Sequence, residues 1–338
     1  MKNSYVMQNG DWHKYKYVFV CGLQRSGTSI LARNIGRLNS CTTFKDTGVL
    51  EDEGQYLQDV YPTDHECGGT GWYGFNPHAH LTEASPLLTP ENIARLEASW
   101  QRYWDPAMPI RIEKTPNNLL MTRFLQAAFP NSYFIVIKRH PVPVSMANQR
   151  WKKSMASLRI GFEHWLQCYG LYEQDKKHIR RLYELRYEDY INDPSRHHAE
   201  IARFIGTEFK KDEMEEISDV HNRKYFDRWH CLLTNSLFKD YYRYIARKYE
   251  PRLAPYDYSL TKLPGTTDEI VPESEPSSIL GKIYSRGADL HAFGWRLLTR
   301  TKGGSRRLLR RVLPIPVKQR IKLYLGQSAD EPGKHGAV

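Results

Sequence analysis

The sequence lacks three features that would move it away from an ordinary globular protein. Its 338 residues include only five cysteines and no C-x-x-C pair, which argues against a disulfide framework. The thirteen histidines show no metal-ligand spacing, and we expect no metal. No stretch approaches the ~20 consecutive apolar residues of a membrane-spanning helix, and the first 17 residues are too polar for a signal peptide. These absences predict a cytoplasmic protein.

Positive charge is concentrated at one end of the chain. The formal charge is +11, and residues 281–338 contribute +10 of it, with 13 Lys and Arg against 3 Asp and Glu. The preceding residues are therefore nearly neutral. A near-neutral body does not offer the basic surface that nucleic acids require, and we expect no nucleic-acid partner.

Short apolar runs alternate with helical patterns. Strands are predicted at 17–21, 110–112, 133–137 and 182–185, and helices from Ile30, at 119–129, at 162–172 and at 195–205, where Gly206 closes the last. Strands that alternate with helices favour a P-loop-like three-layer α/β domain with a central parallel sheet. Residues 46–89 are rich in Gly, Pro, Asp and aromatics without a period, which is typical of a long functional loop.

The chain divides into a globular part and a basic tail. We predict one domain over residues 1–264, a linker over 265–280 and a tail over 281–338. In the tail, residues 306–313 place four basic and four apolar side chains on opposite arcs of a helix. Such a basic amphipathic helix fits three roles: docking on the body, gathering an acidic glycan, or peripheral contact with an anionic membrane, here the inner membrane surface.

A glycine loop follows the first predicted strand. Gly22 and Gly27 have the G-x-x-x-x-G spacing of a phosphate-binding loop, and a helix begins directly after it. The lysine of an ATP or GTP loop is missing, however, and the cation Arg25 lies inside the loop instead. The loop therefore predicts an anion site, and a nucleotide-dependent kinase or phosphotransferase stays open as an alternative.

The loop resembles that of a known family. The run Leu-Gln-Arg-Ser-Gly-Thr-Ser at 23–29 is similar to the 5′-phosphosulfate loop of sulfotransferases that use 3′-phosphoadenosine 5′-phosphosulfate (PAPS). This resemblance implies that the donor contacts Gln24, Arg25, Ser26, Gly27, Thr28 and Ser29. Arg25 would also stabilise the phosphate that is released.

Two later segments extend the resemblance to about Gly206. Arg139-His140-Pro141 is similar to the family's 3′-phosphate motif, in which a planar guanidinium bonds two phosphate oxygens. The family's serine falls where Ala147 stands, and we expect Ser145 or Asn148 to replace it. The run at 185–190 resembles the segment whose tyrosine, here Tyr187, lies near the nucleotide.

The remaining motifs resemble glycan-modifying sulfotransferases. In the run Glu-Asp-Glu-Gly-Gln-Tyr-Leu at 51–57, the resemblance implies that Glu53 is the general base, with Glu51 as the alternative. In Glu-Lys-Thr-Pro at 113–116, it implies that Lys114 contacts the donor or the reacting group. We therefore expect sulfuryl transfer to an acceptor hydroxyl, on a carbohydrate or glycoconjugate. A non-catalytic anion-binding protein is the second alternative.

Overall fold

The computed structural model describes residues 14–149, 155–209, 214–215, 220–236 and 238–263. Among them, five strands form one parallel sheet: β1 (Lys16–Gly22), β2 (Cys41–Thr43), β3 (Ile110–Lys114), β4 (Ser132–Lys138) and β5 (Leu182–Arg186). The predicted linker and tail lie outside the described residues.

Helices connect the strands and continue after the last one. They are α1 (Thr28–Gly36), α2 (Pro90–Gln101), α3 (Thr122–Ala128), α4 (Pro141–Asn148), α5 (Met155–Asp175), α6 (Tyr187–Asn192), α7 (Pro194–Ile205), α8 (Val220–Thr234) and α9 (Lys239–Leu253). The four predicted strands and the α7 prediction agree with the structure. The predicted helix at 119–129 is divided into a 3₁₀ turn, Pro116–Leu120, and α3.

The sheet is buried on both faces, as the apolar strand sequences predict. In β1, Phe19 and Cys21 pack into one core with residues of α2, α3, α5 and α9, whereas Val18 and Val20 pack into a second core with residues of α1 and α7. The α/β fold with a central parallel sheet is thereby confirmed. Among the described residues, no helix is long and apolar enough to cross a membrane.

The strand order places the functional loop. The order is β2-β3-β1-β4-β5, so the connection after β1 runs to one side of it, toward β2, and the connection after the neighbouring strand β4 runs to the other side, toward β5. The carboxyl end of β1 is therefore the topological switch point, where open α/β sheets bind ligands. Residues 23–27, between β1 and α1, lie at this point.

The long irregular region also agrees with its prediction. Between Asp46 and Thr89 the structure contains only four single-turn 3₁₀ helices, Leu50–Asp52, Gly54–Tyr56, Tyr73–Phe75 and Pro77–Ala79. A long segment without α-helix or strand that nevertheless buries residues such as Tyr73 is typical of a functional loop.

Candidate active site

The loop after β1 presents the amino end of α1. Arg25 and Gly27 have left-handed backbone angles, φ 71° and φ 94°, and the Ser26 N–H donates to the Leu23 carbonyl (3.0 Å). Gly27 is the N-cap of α1, and no side chain caps the helix. The first N–H groups of a helix carry partial positive charge, so this end of α1 can bind an anion.

Gly27 also allows a close approach that a side chain would block. A Cβ atom at this position would lie 2.7 Å from the ring carbon Cδ2 of Tyr187. Because no larger residue fits there without moving the ring, Gly27 brings the loop against Tyr187 at the start of α6. The structure thus joins two residues that are 160 positions apart and that the sequence assigned to one donor site.

Arg139 connects this loop to Tyr187. Its guanidinium lies 4.1 Å from the centroid of the Tyr187 ring, and its Nη1 donates to the Arg25 carbonyl (2.6 Å). Nη2 donates to Oδ1 of Asn222 in α8 (2.9 Å). Arg139 is only 6% exposed, and burial lowers its pKa, although arginine stays protonated at physiological pH. A buried, fixed guanidinium suits phosphate binding.

The amino end of α4, just after Arg139, is held by the half-buried carboxylate of Glu188. Glu188 Oε1 accepts the His140 N–H (3.0 Å), and Oε2 accepts the Tyr258 hydroxyl (3.1 Å). The sequence interpretation assigned no role to Glu188 or Asn222. Asn222 belongs to no recognisable motif, so no local signal points to it, whereas Glu188 lies in the quoted run at 185–190.

Glu53 and Lys114 form a buried ion pair. Lys114 Nζ lies 3.1 Å from Glu53 Oε1, and the two side chains are 6% and 9% exposed. Lys114, at the carboxyl end of β3, also donates to the Glu51 carbonyl (2.9 Å). Burial raises the pKa of Glu53, while Lys114 and Gln55 partly offset that rise. A buried carboxylate beside a cation combines a proton acceptor with a group that stabilises negative charge.

The segment before Glu53 contains two consecutive non-glycine residues with left-handed backbone angles. Glu51 has φ 54° and Asp52 φ 51°, and Asp52 Oδ1 accepts the backbone N–H (2.9 Å) and the hydroxyl (2.6 Å) of Thr47. Glu51 is exposed and accepts the Ser29 hydroxyl from the loop (3.3 Å). Such backbone strain is concentrated at functional sites. Here it occurs in the residue, Glu51, that contacts Ser29 at the start of α1.

Glu113 is a further site residue, and the sequence interpretation gave it no role. It is 1% exposed, and its carboxylate accepts the Gly54 N–H (3.0 Å), the Thr115 hydroxyl (2.5 Å) and the amide of Asn118. Burial raises the pKa of Glu113 to about 7. The available signal was a pair of adjacent charges, Glu113 and Lys114, at the end of a strand predicted to be buried. Glu113 holds the backbone next to Glu53.

Ser145 lines a cavity that residues 24–29, Arg139 and Tyr187 do not line. It lines this cavity, of about 30 Å³, together with Trp72, Asn148, Gly161 and His164. In an α-helix, residues two positions apart point about 200° away from each other, so Ser145 and Ala147 face opposite sides of α4. The structure therefore connects Arg25, Gly27, Arg139 and Tyr187 by direct contacts, and none of these four lines the cavity that contains Ser145.

The polar residues of the loop and of the first turn of α1 differ in their exposure. Ser26 and Thr28 are buried, whereas Arg25 is exposed and Ser29 is half-buried. Within the part of the chain that the structure describes, no group of three or more His, Cys, Asp or Glu residues is arranged to hold a metal ion. The site is built from backbone N–H groups, cations, hydroxyls and carboxylates.

A parallel sheet with a phosphate-type loop at its switch point defines a P-loop-like α/β protein. The model of the sulfotransferase family matches residues 18–211, more than half of the chain. The chain belongs to this family and is a sulfotransferase, whose members take the sulfuryl group from PAPS. Comparison with curated proteins finds no significant match.

Several solved structures are similar to this chain. The sulfotransferase domain of the Synechococcus PCC 7002 olefin synthase is 16% identical, with a TM-score of 0.44, over 75% of this chain and 98% of that domain. The sulfotransferase STF9 of Mycobacterium avium is 12% identical, with a TM-score of 0.44, over 76% and 81%. A retinol dehydratase in complex with retinol and PAP is 16% identical, with a TM-score of 0.30, over 83% and 81%.

Proposed function

We propose that this sulfotransferase transfers the sulfuryl group of PAPS to a carbohydrate hydroxyl, with Glu53 as the general base. The observation that carries the proposal is the buried Glu53–Lys114 pair beside the phosphate loop. A base must accept a proton near neutral pH, and burial raises the pKa of Glu53 toward that range. Family membership sets aside the two alternatives, a P-loop phosphotransferase and a non-catalytic anion-binding protein.

In this proposal, the donor PAPS binds to the cations and backbone N–H groups around the loop. Residues 24–29 and the amino end of α1 bind the 5′-phosphosulfate, while Arg139 and Tyr187 bind the 3′-phosphate side of the nucleotide. The supporting geometry is the contact of Arg139 with both the Arg25 carbonyl and the Tyr187 ring. A guanidinium bonds two phosphate oxygens at once, and the Tyr187 ring restricts its orientation.

The transfer then needs one proton acceptor and two cations. The acceptor oxygen attacks sulfur, the bond from sulfur to the phosphate oxygen breaks, and Glu53 takes the hydroxyl proton. Lys114 stabilises the sulfuryl group and Arg25 the released phosphate oxygen. Each Glu53 oxygen accepts one hydrogen bond, from Lys114 or from Gln55, and retains a lone pair for the acceptor proton.

The acceptor class is supported by a groove beside the Glu53 segment. An open groove of about 340 Å³ is lined by Val49 and Tyr56, which flank Glu53 in sequence, and by Ser99, Arg102 and Tyr103 of the α2 end. Aromatic faces with polar groups at their edges fit sugar rings. Aromatics outside this groove are less accessible: Trp72, Tyr73, Trp100 and Trp104 are at most 5% exposed and pack in the hydrophobic cores, while Phe75 packs against Trp72.

A labelled-donor assay tests both parts of the proposal. The full chain is incubated with ³⁵S-labelled PAPS and three acceptor panels: neutral and anionic oligosaccharides, phenols, and apolar alcohols. We expect label on oligosaccharides, and Glu53→Gln should lower turnover at least ~100-fold while PAP still binds. Glu51→Gln is the matched control and should retain turnover within about threefold. Label only on phenols or apolar alcohols would contradict a carbohydrate acceptor. Normal turnover of Glu53→Gln would contradict the role of Glu53 as the general base.

The role of the basic tail in locating the enzyme at a membrane is tested in a separate experiment. We propose that residues 281–338 bring the enzyme to an anionic membrane surface, because this segment carries +10 of the formal charge. Full-length protein should float with vesicles that contain about 30% anionic lipid, and a chain truncated before residue 281 should not. Equal absence of binding for both proteins excludes the membrane contact.

A further inference from the structure

Gln55 makes two hydrogen bonds that fix its side-chain amide. It is fully buried, its Oε1 accepts the Asp64 N–H (2.8 Å), and its Nε2 donates to Glu53 Oε2 (2.6 Å). A backbone N–H can only donate, so the amide oxygen must face Asp64 and the NH₂ group must face Glu53. The amide therefore has one orientation, and in that orientation it holds one oxygen of the Glu53 carboxylate.

Asp64 connects the same arrangement to the phosphate loop. It is 4% exposed, its Oδ2 accepts Nε2 of Gln24 in the loop (2.8 Å), and its Oδ1 accepts the Tyr56 hydroxyl (2.8 Å). The side chain of Asp64 is thus bonded to the loop, while its N–H is bonded to Gln55. A continuous path of hydrogen bonds runs from Gln24 through Asp64 and Gln55 to Glu53.

We propose that Gln55 and Asp64 are positioning residues that align the Glu53 carboxylate with the phosphate loop. This inference rests on the proposed function of Glu53 as the base. Neither residue touches the reacting atoms in the proposal, and both act through Glu53. Lys114 holds Oε1 of Glu53, and Gln55 holds Oε2, so the carboxylate plane is fixed from both sides.

The arrangement has a consequence that a purely structural role would not have. A hydrogen bond donated to a carboxylate favours its ionised form, so the Gln55 amide lowers the pKa of Glu53 against the effect of burial. Removal of that donor should therefore raise the pKa of Glu53. The enzyme would then need a higher pH to ionise its base, and the acid limb of the pH–rate profile would shift to higher pH.

The pKa of Glu53 is measured directly on the full chain labelled with [5-¹³C]glutamate. The Glu53 carboxyl signal is identified by its loss in Glu53→Gln, and its chemical shift is followed against pH by NMR. In Gln55→Leu we expect the Glu53 pKa to rise by about one unit. We expect turnover of labelled PAPS to fall about tenfold, with PAP affinity within about twofold of the original protein.

Gln58 supplies the matched control. Among the residues that the structure describes, its side chain bonds only backbone groups of the same segment: the carbonyls of Gln55 and Tyr61 and the N–H groups of Val60 and Tyr61. Gln58→Leu should lower the melting temperature without moving the Glu53 pKa. An equal rise of the pKa in Gln58→Leu and Gln55→Leu would show general loosening of the segment and would overturn the proposal.

Asp64→Leu tests the connection to the loop with a side chain of similar branching. Leucine can accept neither the Gln24 amide nor the Tyr56 hydroxyl, so both side-chain contacts are lost, while the Asp64 backbone N–H that Gln55 accepts is kept. In the original protein, titration with PAP should shift the Glu53 carboxyl signal; in Asp64→Leu this response should fall at least about threefold, whereas PAP affinity falls only about threefold. An unchanged Glu53 response, or an unchanged Glu53 pKa in folded Gln55→Leu, refutes the positioning role. Normal turnover of Glu53→Gln would refute only the proposed role of Glu53 as the general base.

Discussion

The proposed donor side and the proposed base side of the site are built in different ways. The donor side lies at the ends of β1 and β4 and at the starts of α1 and α6, and most of its groups face each other because the strands are parallel neighbours. The base side lies in the irregular segment 46–64, which is held by buried side-chain hydrogen bonds. Strands and helices position the donor side, whereas individual polar contacts position the base side. Substitutions should therefore affect donor affinity on one side and turnover or stability on the other.

The largest effect is expected at Lys114. Lys114→Met leaves the 9% exposed Glu53 side chain without its cation, and the free energy of unfolding should fall by about 3–5 kcal/mol. Urea unfolding measures this loss. Combining Lys114→Met with Glu53→Gln should restore about half of it without restoring turnover. Lys176→Met, in the half-exposed pair with Glu173 at 2.7 Å, is the control and should cost less than about 1 kcal/mol. Similar losses at both lysines would contradict a buried base side.

A pH dependence should follow from Glu113. Its pKa is raised from 4.5 to about 7, so the folded protein keeps a proton that the unfolded chain releases. The contribution of Glu113 to the free energy of unfolding should then be highest below about pH 4.5 and fall by about 3 kcal/mol as the pH rises through about 7. Thermal or urea unfolding of the original protein and Glu113→Gln, compared from about pH 4.5 to about pH 8, isolates this contribution. Parallel pH curves for the two proteins would exclude it.

Arg139 should control donor affinity. Arg139→Leu removes the guanidinium that contacts the Arg25 carbonyl and the Tyr187 ring, and PAP affinity should fall about 100-fold by titration calorimetry. Arg139→Lys should recover only part of the affinity, because an ammonium cannot bond two oxygens in a fixed fork. Arg196→Lys, on an exposed part of α7, should leave the affinity unchanged. Full recovery in Arg139→Lys would show that charge alone is sufficient.

The smallest effect is expected at Gly27. In Gly27→Ala the new Cβ would lie 2.7 Å from the Tyr187 ring at φ 94°, so PAP affinity should fall about tenfold and stability by about 1–2 kcal/mol. Gly170→Ala in α5 meets no atom within 4 Å and should slightly raise stability, because alanine favours a helix. A Gly27→Ala protein with normal PAP affinity would mean that the Tyr187 contact does not hold the donor.

The fold could be predicted well because its signals are local. Residues 133–137 are continuously apolar and β-branched or aromatic, and β4 is buried on both faces as that composition requires. In α7, Pro194 at the first turn and Gly206 with φ 73° mark both ends. The structure adds β2 and five helices, α2, α4, α6, α8 and α9, whose patterns were not assigned. β2 has only three residues, too few to show a period, and it forms because β3 pairs with it.

The candidate site could be predicted only in part, for the same reason. Gly27 was recognised by its spacing from Gly22 and Arg25 by its place inside that loop, whereas Arg139 and Tyr187 were assigned because short runs of adjacent residues resemble sulfotransferase motifs. Ser145 was chosen by nearness in sequence to Ala147, but two positions along a helix change the direction of a side chain by about 200°. Glu188, Glu113 and Asp64 act through contacts across long separations. Such contacts produce no recognisable pattern in the neighbouring sequence.

By itself, the sequence determined the parallel sheet, the anion loop without an ATP-type lysine, and the residues that follow the strand ends. These features depend on neighbouring residues and on the geometry of a parallel sheet. Only the tertiary structure decided which carboxylates are buried, that Lys114 pairs with Glu53, and that Gln24 is joined to Glu53 through Asp64 and Gln55. Burial and hydrogen-bond partners depend on the packing of distant segments, and packing sets both the pKa and the orientation of the proposed base.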